Sequence, residues 1–379
     1  MPRWTRVTPW IRFLALFLPV LLLALLVAWL PRLVGDEQED ASEPVVVPLV
    51  LTPAERALQE ELVELADGFD GEVGLAVQDV STGRILHANG DELYPQQSVS
   101  KFWVALAALG EADEGDFDLA EQVTLRREDM TVFHQPLREI VRARGRFDTD
   151  YGDLLDRALT RSDNTANDRI LRRIGGPETV QDFIDDAELE GIRFGTDERT
   201  KQSAIAGLEW DQDYSIGNAF FDAREEVPDA VRAASFEAYL ADPIDGASPI
   251  AIAHALGQLA RGALLSSVST ELILSTLEQT RSGPRRLKGG VPAGWTIAHK
   301  TGTGQFYGGE QSGYNDIGIL TSPEGREYSV VAMIRRTGAP TIARMQMMQE
   351  VVRATVRYDE AAYPDSGDEP QGDEVNTEP

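Results

Sequence analysis

The spacing of apolar and polar positions along the chain predicts strands at both ends of a folded unit and helices between them. Alternating patterns predict strands at residues 72–80, 84–88, 295–300, 316–320 and 328–334. Spacing of three to four residues predicts helices at residues 54–69, 98–184, 249–265, 269–279 and 341–358. This order indicates an α+β layout, with one sheet assembled from the two ends of the folded unit.

The amino-terminal segment predicts export. Residues 13–30 carry no charged side chain, arginines precede this run, and acidic residues follow it. We therefore expect a cytoplasmic segment at 1–12, an inner-membrane anchor helix at 13–33 and a linker at 34–52, with the remaining chain in the periplasm. A cleaved signal peptide at the same position is the alternative.

The rest of the chain divides into one folded domain and a tail. The domain is predicted over residues 53–358, and residues 359–379, which contain eight acidic and no basic side chains, are predicted to be disordered. The whole chain has 63 acidic and 35 basic residues and a net charge of −28, which argues against a nucleic-acid partner.

Composition also narrows the possible chemistry. There is no cysteine, which excludes disulfides and a thiol nucleophile, and none of the four histidines is spaced with another as a metal pair would be. We expect no metal and no cofactor, and a monomer that acts on a small-molecule substrate.

Three short segments carry the candidate chemistry: Ser98-Val99-Ser100-Lys101, Ser162-Asp163-Asn164 and Lys300-Thr301-Gly302. Each alone has a structural explanation, as a helix cap, a polar turn or a strand end. Together they supply a serine with a lysine one turn away, a second serine beside an asparagine, and a second lysine beside a glycine. Burial at the start of an apolar helix would lower the pKa of Lys101 and make it a base for Ser98. These are the groups that acyl transfer through a serine requires.

With these segments in this order, the sequence resembles the class A β-lactamase family of penicillin-recognising serine hydrolases over residues 54–358. Further similar segments are Thr165-Ala166-Asn167, Gly175-Gly176-Pro177, Gly283-Pro284 and Pro292-Ala293-Gly294-Trp295. The resemblance implies a β-lactamase/transpeptidase-like α+β fold. In that fold an antiparallel sheet built from N- and C-terminal strands is flanked by helices, beside an all-helical subdomain.

The resemblance also implies a role for each matching residue. Ser98 would be the acylated nucleophile, Lys101 its activating partner, and Ser162 the group that passes a proton to the leaving nitrogen. Asn164 would bind the side-chain amide of the substrate, and Lys300 and Thr301 would bind its carboxylate. Gly302 would allow the strand to approach closely, and Phe133 would form an aromatic rim. The N–H groups of Thr303 and Ser98 would form the oxyanion hole. Arg335 and Arg336 are further candidates for carboxylate binding, and His134 is expected to be a surface or hydrogen-bonded histidine.

A base for deacylation separates a hydrolase from a peptidase that stays acylated. In the resembling family this base is a glutamate on a loop after the second segment, and Glu198 lies 34 residues after Asn164 (198 − 164). The family usually has proline after this glutamate and asparagine four residues on, where this chain has Arg199 and Gln202. The amide of Gln202 is a candidate for holding water, and Glu209 is the alternative base.

Residues 203–247 are an insert relative to the family, rich in acidic and aromatic residues, and are expected to remodel the Glu198 loop or to form a wall or lid over the cleft. The sequence favours an exported serine β-lactamase that confers antibiotic resistance and acts on cyclic amides. The alternatives are a peptidoglycan DD-peptidase or transpeptidase and a non-hydrolytic sensor of β-lactams or peptidoglycan.

Overall fold

An antiparallel sheet forms the centre of the structure, a computed structural model that describes residues 50–364. The strands are β1 Val73–Asp79, β2 Ile85–Ala88, β3 Tyr94–Pro95, β4 Gln122–Leu125, β5 Phe147–Asp150, β6 Gly246–Ala247, β7 Thr296–Thr303, β8 Phe306–Tyr307, β9 Glu310–Thr321 and β10 Glu327–Thr337. The central sheet has the order β2-β1-β10-β9-β7, with β8 paired to β9. The predicted sheet from both ends of the domain is confirmed, although β9 and β10 are longer than the sequence pattern indicated.

Both faces of this sheet are covered by helices. The helices are α1 Pro53–Asp67, α2 Lys101–Glu114, α3 Leu137–Arg144, α4 Tyr151–Thr160, α5 Asn164–Arg173, α6 Pro177–Asp186, α7 Glu198–Ile205, α8 Ala219–Glu226, α9 Asp229–Ala241, α10 Pro249–Ala260, α11 Ser267–Glu278 and α12 Thr341–Ala362. Leu75 and Val77 of β1 pack towards α1 and α12, whereas Ala76 belongs to the core that contains α10. Every residue of β1 is therefore buried, on one face of the sheet or the other.

Helix α2 is the centre of the helical part of the domain. Its residues 102–109 are all nearly inaccessible to solvent, because helices α4, α5, α6 and α11 pack around it. A helix that is apolar on all sides is stable only inside a core. The surrounding packing therefore fixes the amino-terminal end of α2, where Lys101 is the first residue.

The carboxyl-terminal boundary of the domain was predicted too early. Helix α12 continues to Ala362, past residue 358 where the domain was expected to end. Asp359 is buried and accepts hydrogen bonds from Arg326 Nε and Tyr328 OH, each at 2.5 Å. The prediction that the disordered tail starts at residue 359 is therefore wrong for the residues up to 364.

The predicted segments 1–12 and 13–33, most of the linker 34–52, and the tail from residue 365 lie outside the described residues. Within residues 50–364, no helix combines the length and the apolar character needed to cross a membrane.

The insert at residues 203–247 is folded. Phe236 and Leu240 of α9 pack on Ile205 at the end of α7, and Phe220 of α8 packs against Val132. The insert thus lies beside the helix that begins at Glu198 and beside the loop that carries Phe133.

Candidate active site

The first segment places a serine and a lysine in direct contact. Ser98 lies in a short 3₁₀ turn, residues 97–100, that leads into α2. The Nζ of Lys101 lies 2.8 Å from the Oγ of Ser98, and the lysine side chain is fully buried. Burial lowers the pKa of Lys101, although the negative charge of Glu198 opposes this effect. The contact is the one that an activated serine nucleophile requires.

Glu198 lies at the same centre, at the amino-terminal end of α7. Its Oε1 is 2.5 Å from the Nζ of Lys101 and 3.5 Å from the Nζ of Lys201. Burial by itself would raise the pKa of Glu198, but the two ammonium groups outweigh it and hold that pKa well below its usual range. The Nε2 of Gln202 donates to Oε2 at 3.3 Å. Glu209, the alternative base, is exposed and does not line the cleft beside Ser98.

A network of polar side chains that the sequence did not predict holds the turn of Ser98. Asp245, at the end of the insert, accepts hydrogen bonds from the backbone N–H of Gln97 at 2.8 Å and from Tyr239 OH at 2.8 Å. Lys201 Nζ lies 3.0 Å from the same carboxylate. Gln97 has φ of 55°, a conformation that costs a non-glycine residue free energy and that these contacts maintain.

A buried carboxyl group supports the backbone of Glu198. The Oδ1 of Asp168 on α5 accepts the N–H of Glu198 at 3.1 Å, and Asp168 is fully buried. Burial, together with the negative charges of Asp197 and Glu198, raises the pKa of Asp168 to about 7. Asp168 therefore connects the helix of the second segment to the proposed deacylation base.

The second segment is shaped by a capping aspartate. Asp163 caps α5 by accepting the N–H of Ala166 at 3.0 Å, and it also accepts the N–H of Leu137 at 2.7 Å. Ser162 has φ of 57°. The Nδ2 of Asn164 donates to the carbonyl of Val132 at 2.9 Å, while its Oδ1 is buried without a hydrogen-bond partner among the described residues. Asn164 lines the cleft, and a buried acceptor without a partner is suited to binding a substrate amide.

The third segment meets the second. Lys300 on β7 is buried, and its Nζ donates to the Oγ of Ser162 at 3.0 Å. Burial, and then the positive charge of Lys101, lowers the pKa of Lys300 well below its usual value. Gly302 lies against the turn of Ser98, where a Cβ would stand 2.3 Å from the carbonyl oxygen of Gln96. This close approach explains why glycine is required at position 302, and it brings the next residue, Thr303, towards the turn of Ser98.

Arg286 is a site residue that the sequence analysis missed. Its Nη1 donates to the carbonyls of Gly302 and Asn315, each at 2.7 Å, and its Nη2 donates to Thr303 Oγ1. The guanidinium lies 3.7 Å from the ring centroid of Tyr314. No spacing rule marks this arginine, because it reaches the site from an irregular segment between α11 and β7.

The proposal that Arg335 and Arg336 assist in carboxylate binding is wrong. Arg335 pairs with Glu72 and Glu92 at 2.9 and 2.8 Å. Arg336 pairs with Glu237 and Glu310 at 2.9 and 2.6 Å. Neither lines the cleft, because acidic partners on neighbouring segments hold both side chains elsewhere.

The three segments and Glu198 border one cleft of about 460 Å³. Its lining includes the following side chains: Ser98, Phe133, Ser162, Asn164, Glu198, Gln202, Arg286, Thr301, Thr303 and, from the insert, Arg224. Phe133 packs on Phe220 and Phe221 of α8, with ring centroids 4.9 and 5.8 Å apart, so the insert forms a wall of the cleft.

His134 is hydrogen-bonded through Nε2 to the carbonyl of Arg161 at 2.8 Å. Within residues 50–364, no cluster of side chains is arranged to hold a metal ion.

Comparisons with known proteins agree with this geometry. A family model described as the beta-lactamase enzyme family matches residues 56–358. The extended-spectrum beta-lactamase PER-1 of Pseudomonas aeruginosa is 27% identical over 304 residues, covering 80% of this chain and 87% of that protein. A beta-lactamase of Amycolatopsis lactamdurans is 28% identical over 285 residues, covering 75% of this chain and 80% of that protein.

Solved structures show the same fold. An ancestral class A beta-lactamase, named GNCA, superimposes with a TM-score of 0.62 at 28% identity, covering 79% of this chain and 98% of that one. The TLA-1 extended-spectrum beta-lactamase gives a TM-score of 0.67 at 24% identity, covering 80% of this chain and 99% of that one. The resemblance found in the sequence is thus confirmed, and the chain belongs to the beta-lactamase enzyme family.

Proposed function

We propose that this protein is an exported class A serine β-lactamase that opens the β-lactam ring through an acyl-enzyme on Ser98 and releases the product with water activated by Glu198. One observation carries the proposal. A single ammonium, that of Lys101, contacts both the Ser98 hydroxyl at 2.8 Å and the Glu198 carboxylate at 2.5 Å, inside a buried centre that opens onto the cleft.

In acylation, the proton of Ser98 passes to the buried Lys101–Glu198 pair while Oγ attacks the lactam carbonyl carbon. The Oγ–C bond forms, and the ring C–N bond breaks. The departing nitrogen takes a proton from Ser162 Oγ, which lies 3.0 Å from the Nζ of Lys300. The proton taken from Ser98 then passes from the Lys101–Glu198 pair to Ser162, which restores the serine hydroxyl and leaves Glu198 ionised for deacylation. The N–H groups of Ser98 and Thr303 stabilise the negative charge that develops on the carbonyl oxygen.

The cationic groups near the third segment bind the substrate carboxylate. Lys300 and Arg286 supply positive charge, and the hydroxyls of Thr301 and Thr303 line the same part of the cleft. Desolvated cations with fixed hydrogen-bond donors bind a carboxylate strongly. Gly302 permits β7 to lie close enough for these groups to reach a substrate held on Ser98.

Deacylation depends on Glu198, whose ionised carboxylate removes a proton from the attacking water. Gln202 donates to Oε2 of Glu198 and helps to fix the orientation of the carboxylate. A DD-peptidase or a sensor would keep its acyl group, and a buried, ionised glutamate next to the nucleophile favours the hydrolase instead.

The location of the enzyme is part of the proposal. The uncharged run within residues 13–33, with arginines before it and acidic residues after it, supports an anchor in the inner membrane and a catalytic domain in the periplasm. We expect a monomer that acts on a small-molecule substrate.

Turnover of a chromogenic cephalosporin by purified residues 40–379 tests the proposal. We expect many molecules of cephalosporin to be hydrolysed per molecule of enzyme, and none by the Ser98→Ala variant. Release of one equivalent of product per enzyme, with no further turnover, would instead identify a peptidase or a sensor. Release of D-Ala from a stem peptide would then distinguish these two.

A further inference from the structure

Arg224 stands out among the residues that line the cleft, because it comes from the insert and the proposed mechanism does not use it. It lies on α8, and its Nη1 donates to the Oε1 of Gln305 at 3.4 Å. Its Nε is buried without a hydrogen-bond partner among the described residues. Within that part of the chain, no carboxylate oxygen approaches the guanidinium to ion-pair distance, and Glu225 beside it is exposed. A cation partly withdrawn from water without an acidic partner is suited to receiving an anion.

Neighbouring side chains fix the guanidinium of Arg224 in this position. It lies 5.2 Å from the ring centroid of Phe221, which itself packs against Phe133. On the other side, Gln305 donates through Nε2 to the carbonyl of Gln202 at 2.7 Å and thereby turns its Oε1 towards Arg224. Arg224 therefore connects the Phe133 wall of the cleft to the segment that follows β7.

The position of Arg224 differs from that of the groups that bind the ring carboxylate. Lys300 and Arg286 contact Ser162 and Thr303, whereas the neighbours of Arg224 are Phe221 and Gln305. Phe133 and Gln305 bound the cleft together with Asn164, whose unpaired Oδ1 is suited to the amide of the acyl side chain. Arg224 is thus positioned to contact the end of the acyl side chain beyond its amide.

We propose that Arg224 forms a second anion-binding subsite, which selects β-lactams whose acyl side chain carries a carboxylate. This inference rests on the proposed function, since it describes the substrate of the same cleft. A guanidinium binds a carboxylate with two parallel hydrogen bonds, and its charge persists at any physiological pH. The insert therefore adds a preference for doubly anionic substrates.

A pair of penicillins tests the subsite. One is benzylpenicillin, with a neutral phenylacetyl side chain, and the other carries an α-carboxylate on the same side chain. We measure kcat/KM for both with the wild type and with Arg224→Gln, and we compare the ratio of the two values, which cancels general damage to the enzyme. The ratio is kcat/KM for the carboxylated penicillin divided by kcat/KM for benzylpenicillin. Loss of a charge-assisted bond in Arg224→Gln should lower this ratio by about tenfold. Added salt should lower it in the wild type only.

Arg232→Gln is the matched control, because Arg232 lies on the next helix of the insert over the ring of Tyr307 and does not line the cleft. It should leave the ratio unchanged, and Arg224→Lys should restore part of it. An unchanged ratio in Arg224→Gln would overturn the proposed subsite and leave Arg224 with a structural role, as a hydrogen-bond donor to Gln305.

A second readout separates the two proposals. The rate at which Ser98 is acylated, followed by intact-protein mass spectrometry, does not depend on deacylation. If the wild type is acylated without turnover, the proposed hydrolase fails, while the ratio of acylation rates still decides the role of Arg224. If neither penicillin acylates Ser98, both proposals fail.

Discussion

The carboxylate of Glu198 lies 2.5 Å from the ammonium of Lys101, although 97 positions separate the two residues in the chain. The same ammonium lies 2.8 Å from the hydroxyl of Ser98. In the proposed mechanism, acylation and deacylation therefore share one buried group that carries protons, the ammonium of Lys101. Since Lys101 and Glu198 are both shielded from water, each determines the protonation of the other.

Replacing Glu198 separates the two half-reactions. In Glu198→Ala, the ammonium of Lys101 loses its closest carboxylate, so burial lowers the pKa of Lys101 further and favours the neutral amine that can activate Ser98. Deacylation loses its general base and should slow by about 10²–10⁴-fold. We expect a covalent adduct on Ser98 in the intact mass spectrum. Glu209→Ala serves as the control, and unchanged turnover in Glu198→Ala would show that another group is the base.

Lys201 should affect both stability and the pH profile. In Lys201→Met, Asp245 and Glu198 lose a buried cation that lies 3.0 and 3.5 Å from them. Removing one partner of a buried ion pair costs about 3–5 kcal/mol, which urea unfolding measures as a lower free energy of unfolding.

The pH dependence of stability and of kcat follows from the lowered pKa of Glu198. Ionised Glu198 contributes stability above its unfolded pKa. This stability, and the ionised form that acts as the base, are both lost as pH falls through its lowered folded pKa. Lys201→Met removes one of the two ammonium groups that lower this pKa, so the acid limb of kcat should move to higher pH. The double variant Lys201→Met/Asp245→Asn should recover part of the stability and keep the moved limb. An acid limb that stays in place would exclude an electrostatic role for Lys201.

The parts of the site that the sequence predicts are those with a local pattern. Ser98 and Lys101 are one turn apart, and Lys300 and Gly302 share one strand, so spacing alone associates them. The distance of Glu198 from Asn164 in the chain matches the resembling family, and in the structure Glu198 contacts the ammonium of Lys101.

The residues that the sequence analysis missed act through long-range contacts. Asp245, at the end of the insert, holds the Ser98 turn from 148 positions away, and nothing in its neighbourhood in the chain indicates this. The end of the domain was placed too early for the same reason. Asp359 stands at the start of an acidic stretch, but its partner Arg326 is 33 positions earlier.

The low pKa of Lys300 predicts the alkaline limb of the reaction. As pH rises through that pKa, Lys300 loses its charge, and the carboxylate of the substrate is bound less tightly. We therefore expect KM to rise, and kcat/KM to fall, below the pH at which an exposed lysine titrates, about 10. In Lys300→Arg the guanidinium keeps its charge, so this limb should move to higher pH. A methyl ester of the substrate carboxylate is the control, and it should show no such rise in KM.

Gly302 should tolerate no side chain. In Gly302→Ala, the new Cβ would lie 2.3 Å from the carbonyl oxygen of Gln96 and 3.2 Å from the N of Val99, so β7 and the Ser98 turn must separate. Overpacking of this kind costs about 1–3 kcal/mol in the free energy of unfolding. The exposed glycine at 338, where the nearest atom is 3.4 Å from a built Cβ, provides the control Gly338→Ala.

The effect of Gly302→Ala on acylation should exceed its effect on stability. Thr303 and Ser98 must both face the same carbonyl oxygen, and a displacement of about 1 Å is enough to lower the rate by about 10²-fold. Stopped-flow acylation by benzylpenicillin measures this rate, and urea unfolding of the same sample measures the stability. If acylation falls only in proportion to the folded fraction, then the close approach of β7 serves packing alone. A fall in acylation while the protein remains folded assigns the glycine to the geometry of the oxyanion hole.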